Sequence, residues 1–265
     1  MEYLKLILGL LESAKSAALI AGDILLEGFG TNFKISNKEG RNNLVTEYDL
    51  KSERAIIEFL LHKYPTHSFL AEESGNTQND EIVKWIIDPL DGTTNFANNL
   101  PIFSVSIAAE YKGEIVAGVV YNPVLKELFY ASKGGGAFLN DNRIYCSNSN
   151  DLNTSFLVTG FPYNVEKNPY SCVDTFVKVV LQGIPVRRLG SAAIDLAYVA
   201  CGRFDGFWEL NLNAWDTAAG YLLVEESGGI VTQYNNDKFS IYNNTIIATN
   251  GKIHSQVVEL INSFS

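Results

Sequence analysis

Leu4, Ile7, Leu8, Leu11, Ala14, Ala18, Ile20 and Leu25 mostly recur at helical spacing, with Lys5, Glu12, Lys15 and Asp23 among them. This predicts an amphipathic helix from about Met1 to Phe29, packed on the protein and stopped by Gly28 and Gly30. The charges inside the run, and the lack of a small-residue cleavage site after it, argue against a signal peptide or a membrane span. Thr31–Asn43 is polar and reads as a strand plus a mobile loop. A second helix opens at Thr46, with Asp49 at its third position completing an approximate capping box, and Pro65 ends it after Tyr64. Phe69–Ala71 reads as a short apolar strand ending in Glu72 and Glu73, adjacent acids that point to opposite faces, one into a crevice and one outward. Trp85, Ile86 and Ile87 look like the end of a buried strand, stopped by Pro89.

Phe103–Glu110, Ile115–Tyr121, Glu127–Ser132 and Ala137–Leu139, separated by glycine and Asn-Pro turns, predict an antiparallel meander. From about Cys146 the texture changes. Strands are predicted at Phe156–Val158, Val186–Leu189, Phe204–Leu210, Ile230–Thr232 and Ile246–Thr249. Helices are predicted at Val173–Leu181, Ser191–Cys201, Thr217–Ser227 and Lys252–Phe264. The pattern divides the chain into an amino half (1–145) and an α/β carboxyl half (146–265) that form one compact unit.

Composition narrows the function classes. The 265 residues are 46% hydrophobic and 19% charged, ordinary for a soluble globular protein. A net charge of −10 argues against a nucleic-acid partner, whose phosphates are bound mainly by Lys and Arg. An acidic protein that handles phosphate needs an intermediary, and a divalent metal is the obvious one. Cys146, Cys172 and Cys201 form no Cys-x-x-Cys, which fits reduced thiols in the cytoplasm.

The stretch Trp85–Phe96 carries the chemistry. Asp88 and Asp91 stand three residues apart at a strand end, where two carboxylates in one crevice call for a cation between them. Oxygen ligands suit Mg²⁺ or Mn²⁺ better than zinc. Gly92-Thr93-Thr94 reads as the opening of a short helix whose free N–H groups favour a phosphate. Taken alone, each carboxylate has a plainer explanation: Asp88 and Asp91 as turn caps, Asp49 as a helix cap, Glu72 and Glu73 as solvated surface.

Glu72-Glu73, Asp88-Pro89-Leu90-Asp91-Gly92-Thr93, and Trp215-Asp216 followed by Gly228-Gly229 together resemble the inositol monophosphatase family of lithium-sensitive, magnesium-dependent phosphatases. The match runs along essentially the whole chain. Haloacid-dehalogenase-like phosphatases are set aside because their attacking Asp lies two residues before the second Asp, and position 89 is Pro. The resemblance implies a five-layer α-β-α-β-α sandwich of mixed α+β and α/β character. It implies that Glu72, Asp88 and the Leu90 carbonyl hold one Mg²⁺, and that Asp88, Asp91 and Asp216 hold a second. A looser third ion is implied near Glu72. Mn²⁺ is expected to substitute and Li⁺ to inhibit. Thr93 and Asp49 are implied to orient and deprotonate the attacking water. Gly92 and Thr93 are implied to hold the phosphate, and Ser191, Ala192 and Glu209 to meet inositol hydroxyls. Asn43 departs from the family pattern, which commonly has Asp before Leu-Val-Thr.

The activity implied is hydrolysis of myo-inositol 1-phosphate. The alternatives are a broader phosphatase of the same fold, acting on fructose 1,6-bisphosphate, NADP or a nucleotide 3′-phosphate, and a partner-binding protein that retains the fold. Related proteins are commonly homodimers, and the apolar meander is a candidate interface. Lys34–Arg41, polar and glycine-containing, is expected to form a flap over the metals.

Overall fold

The computed structural model describes residues 2–37, 44–77, 79 and 82–263. Asn43 and half of the expected flap, 38–41, lie outside them. The chain opens with α1 (Glu2–Gly28), then a two-stranded ribbon of β1 (Ile35–Asn37) and β2 (Leu44–Thr46), then α2 (Glu47–Lys63). β3 (Ser68–Ala71), β4 (Gly75–Thr77) and β5 (Val83–Asp91) follow, then the short α3 (Thr93–Ala97). The expected meander is present as β6 (Ser104–Tyr111), β7 (Glu114–Asn122), β8 (Glu127–Ser132) and β9 (Gly136–Leu139), closed by β10 (Asn142–Arg143). The remaining elements are β11 (Leu157–Thr159), α4 (Cys172–Leu181), β12 (Val186–Arg187), α5 (Ala192–Ala200), β13 (Gly206–Leu210), α6 (Ala214–Glu226), β14 (Ile230–Thr232), β15 (Thr245–Thr249) and α7 (His254–Asn262).

Strands β3 to β10 form one eight-stranded sheet in the order β10-β9-β8-β7-β6-β5-β3-β4, and β12-β11-β13-β15-β14 form a second of five. Alternation along the strands shows how the layers stack. In β5, Trp85 and Ile87 join the core under α1 and α2, while Ile86 joins the core shared with α5 and α6. In β13, Phe207 faces that same middle core, while Trp208 and Leu210 face a third core closed by α4 and α7. The result is five layers, α-β-α-β-α, with both faces of both sheets covered. By the same alternation Asp88 shares a face with Ile86 and Glu209 with Phe207, so both acids point into the middle layer.

Two expectations need correction. Pro89 does not stop β5; the strand runs on to Asp91, and the register against β6 shifts between Asp88 and Asp91. A bulge tolerates a residue that has no N–H to donate. Glu72 and Glu73 do not continue β3 but lie in the turn to β4, so strand alternation does not separate them. The apolar faces of β6 and β7 are packed inside the chain. Apolar side chains that do reach solvent include Val173, Val177, Val180 and Leu181 on α4. Among the described residues, no helix is long and apolar enough to cross a membrane.

The middle layer is tightly closed where α6 crosses β7. A Cβ on Gly118 would lie 2.9 Å from the Cα of Ala219, so backbone must move to admit it. Gly118→Ala is expected to lower stability by about 1–3 kcal/mol, the usual cost of overpacking a core. Chemical denaturation measures this; an unchanged midpoint would refute the close packing.

Candidate active site

Asp49, Asp88, Asp91 and Asp216 are each anchored through one carboxylate oxygen. Asp49 is fully buried at the start of α2. Its Oδ2 accepts from the Thr46 N–H (2.8 Å) and Thr46 Oγ1, which is the expected capping box. Its Oδ1 faces the other way and accepts from Thr93 Oγ1 at 3.0 Å. Capping and site are therefore not alternatives for Asp49; the cap aims the second oxygen. Thr93 Oγ1 also lies 3.0 Å from the Leu90 carbonyl.

Asp88 Oδ1 accepts from the Leu90 N–H at 2.9 Å inside the bulge. Asp91 Oδ2 accepts from Ser191 Oγ (2.6 Å) and the Ala193 N–H (2.7 Å), which ties the start of α5 to the end of β5. Asp216 sits in the capping box of α6, its Oδ2 accepting from the Asn213 N–H at 2.6 Å. A further bond places α6: Ser106, the partner of Asp88 across β5 and β6, donates through Oγ to the Trp215 carbonyl at 3.1 Å. In this way a residue more than a hundred positions away is set beside Asp88. Gly92 bridges β5 and α3 with φ +95°, and a Cβ there would meet the Ile102 carbonyl oxygen at 3.0 Å. Only glycine satisfies both demands.

Burial raises the pKa of all these acids, and their mutual repulsion adds to it. Asp91 is pushed up to about 6, and Asp216 to about 8 with Asp91 as its principal charged neighbour. Asp88 stands well above its ordinary value because of burial and then the charges of Glu72, Asp91 and Asp216. Asp49 rises to about 6, mainly through burial against the opposing pull of its hydroxyl and amide donors. Among the described residues, no ion pair involves Asp88, Asp91 or Asp216.

The donor set fits a hard divalent cation. All the ligating groups implied are oxygens, and Asp88 Oδ2, Asp91 Oδ1 and Asp216 Oδ1 have no hydrogen-bond partner among the described residues. As placed, no three acidic, histidine or cysteine side chains among the described residues surround a single point. Asp49, Asp88, Asp91 and Asp216 are instead each turned onto a backbone or hydroxyl donor.

On the far wall, Glu209 is buried and pushed up to about 8 by burial and then by Asp216 and Asp91. A Cβ on Gly160 would lie 2.2 Å from both its carboxylate oxygens, so the carboxylate rests on bare backbone. Ser191, expected to meet substrate, directs its hydroxyl to Asp91, and Ala192 is buried beside it.

Several site residues escaped the sequence reading. Glu53 accepts from the Glu73 and Ser74 N–H groups, both at 2.8 Å, and so shapes the turn that carries Glu72. Ser52 Oγ donates to the Pro89 carbonyl at 3.0 Å and pins the bulge. Asn95 Nδ2 donates to the carbonyls of Ile102 (2.7 Å) and Leu189 (2.8 Å), clamping α3 to the loop before α5. A signal existed for the first two: they share the buried face of α2 with Asp49, Ile56 and Leu60 and put polar groups at core positions.

Fold and site thus define a layered α+β protein with a cluster of acidic side chains between two sheets, at the N-termini of α5 and α6. The chain belongs to the inositol monophosphatase family, whose model matches residues 9–264. It is 44% identical over 252 residues to the inositol-1-monophosphatase of a Synechocystis species, covering 95% of this chain and 88% of that protein. It is 42% identical over 246 residues to the Nus factor SuhB of Escherichia coli K12, covering 92% of each. The crystal structure of the extragenic suppressor protein SuhB from Bartonella henselae superposes with a TM-score of 0.92 at 40% identity, covering 96% of this chain and 99% of that one.

Proposed function

We propose that the chain is a Mg²⁺-dependent phosphate monoester hydrolase whose preferred substrate is myo-inositol 1-phosphate. The observation that carries this reading is the Thr93–Asp49 hydrogen bond set beside Asp88, Asp91 and Asp216 at one strand end. Glu72, Asp88, Asp91, Asp216 and the Leu90 carbonyl would hold the cations. When bound, these supply charge stabilisation at the phosphoryl oxygens and lower the pKa of water. The Thr93 hydroxyl accepts a proton from the attacking water while passing its own to Asp49, whose anchored Oδ2 keeps Oδ1 in place. Gly92 and Thr93 N–H groups hold phosphate oxygens. Glu209 accepts hydrogen bonds from leaving-group hydroxyls, which favours a polyol over a nucleotide.

The test is phosphate release from inositol 1-phosphate, fructose 1,6-bisphosphate, NADP and adenosine 3′,5′-bisphosphate, with and without Mg²⁺. Preference for inositol 1-phosphate is expected; comparable rates on all four would make the enzyme a generalist and remove the assigned role of Glu209. The relatives named Nus factor SuhB support a second reading, action through a partner protein. A catalytically dead Asp88→Asn chain that still complements a deletion would favour it. The reading also includes a homodimer, and light scattering that gives a single-chain mass would exclude it.

A further inference from the structure

The tripeptide Tyr-Asn-Asn occurs twice in the carboxyl half, at 234–236 and 242–244, and the reaction described above uses neither copy. The fold brings both to one cavity of about 480 Å³, between the β14–β15 loop, the end of α7 and the turn ahead of α4. That volume lies within the usual range of small-molecule sites, roughly 300–1,000 Å³. The cavity is separate from the acid cluster. Glu209 faces the middle layer, whereas Leu210, the next residue on β13, faces the outer core with Tyr234 and Ile261. Thr245 is the partner of Leu210 on β15, and it lines the cavity together with Tyr234 and Ile261. The cavity therefore opens on the outer side of the second sheet.

Its lining is polar yet carries no charge: three tyrosines, five carboxamides, Ser171, Thr245 and Ile261. Asn262 donates through Nδ2 to the carbonyls of Tyr234 (2.6 Å) and Val258 (2.9 Å), which leaves its side-chain oxygen to accept. Asn243 accepts through Oδ1 from the Ser240 N–H at 2.7 Å, which leaves its side-chain NH₂ to donate. Tyr170 and Tyr242 are 61% and 59% exposed, and Tyr242 is tied to the first sheet by donating to Glu110 at 3.0 Å. Tyr170 meets the buried Tyr234 edge-on, with ring centres 6.3 Å apart. Tyr170 is also held in a strained backbone. It and Ser171 have φ +52° and +51°, the left-handed region that bulky side chains seldom occupy. Such strain gathers at ligand sites, where the surrounding fold holds a side chain in a set place.

A charged ligand finds no counter-ion in this lining. A sugar hydroxyl both donates and accepts, and a carboxamide offers both in return. A tyrosine adds an apolar ring face with a polar tip. We propose that this cavity binds a neutral sugar of one or two rings, apart from the catalytic site. Binding there does not depend on the phosphatase reading.

The test is isothermal titration calorimetry of the full chain in EDTA with glucose, galactose, N-acetylglucosamine and maltose. At least one is expected to bind with a Kd of about 1 mM or tighter. Glucuronate, which adds a carboxylate to the same ring, should bind about tenfold more weakly or worse. Asn244→Ala and Tyr170→Gly should each weaken the sugar about tenfold, through a lost hydrogen bond and a lost ring contact. Tyr170→Gly also relieves the left-handed backbone, so it should melt no lower than wild type, which separates lost binding from lost folding. Asp88→Asn should bind sugar as the wild type does. No binding by any of the four sugars overturns the proposal, as does glucuronate binding as tightly as they do. Binding that survives both cavity variants, or that is lost in Asp88→Asn, places the sugar elsewhere and overturns it equally.

Discussion

Asp88→Asn is expected to remove Mg²⁺-dependent phosphate release by about a thousandfold or more. Charge stabilisation by bound metal is worth several kcal/mol, and each ~1.4 kcal/mol is tenfold in rate. The substitution is sterically small, and the amide oxygen can still accept from the Leu90 N–H that anchors Asp88 Oδ1 at 2.9 Å. The bulge at Pro89 should therefore persist, held as well by Ser52. Asp88 also lies among Glu72, Asp91 and Asp216, whose charges all disfavour its ionised form. Removing one of these charges relieves repulsion, so the variant should melt no lower than wild type in EDTA. Activity lost with stability kept is the signature of a site built at the expense of the fold. Assays of release and thermal melts in EDTA check both halves. Substantial Mg²⁺-dependent release by Asp88→Asn would refute the assigned centre.

The parts of this site that were legible in the sequence are the local ones. Asp88, Asp91, Gly92 and Thr93 fall within six residues, and their types and order already called for a cation and an anion side by side. The capping box at Thr46 and Asp49 was readable for the same reason, because helix caps are set by neighbours three residues apart. The five-layer stacking was not readable from periodicity; it came from the family resemblance, and the strand alternation then accounted for it. Pro89 misled because a strand stop and a bulge look alike until the partner strand is known. Pairings such as Ser191 with Asp91, or Ser106 with Trp215, depend on tertiary placement, and no local spacing encodes them.

The Thr93–Asp49 pair carries the second large effect. Thr93→Val should cost roughly a hundred- to a thousandfold in kcat, with KM little changed, if the hydroxyl relays the water's proton to Asp49. Thr93→Ser keeps the hydroxyl and should retain most of the rate. Asp49→Asn should lose rate to a similar degree, but its stability should behave differently. The Thr46 N–H and hydroxyl both converge on Asp49 Oδ2, so weakening that acceptor costs about 0.5–2 kcal/mol of helix capping. Thr93→Val has no such cap to lose. The double variant then separates a relay from two independent contributions. Groups that act as one unit are strongly non-additive, so the double variant should be no slower than the slower single one. Multiplicative losses in kcat would mean that Thr93 and Asp49 act separately, and the 3.0 Å bond between them would then be structural only.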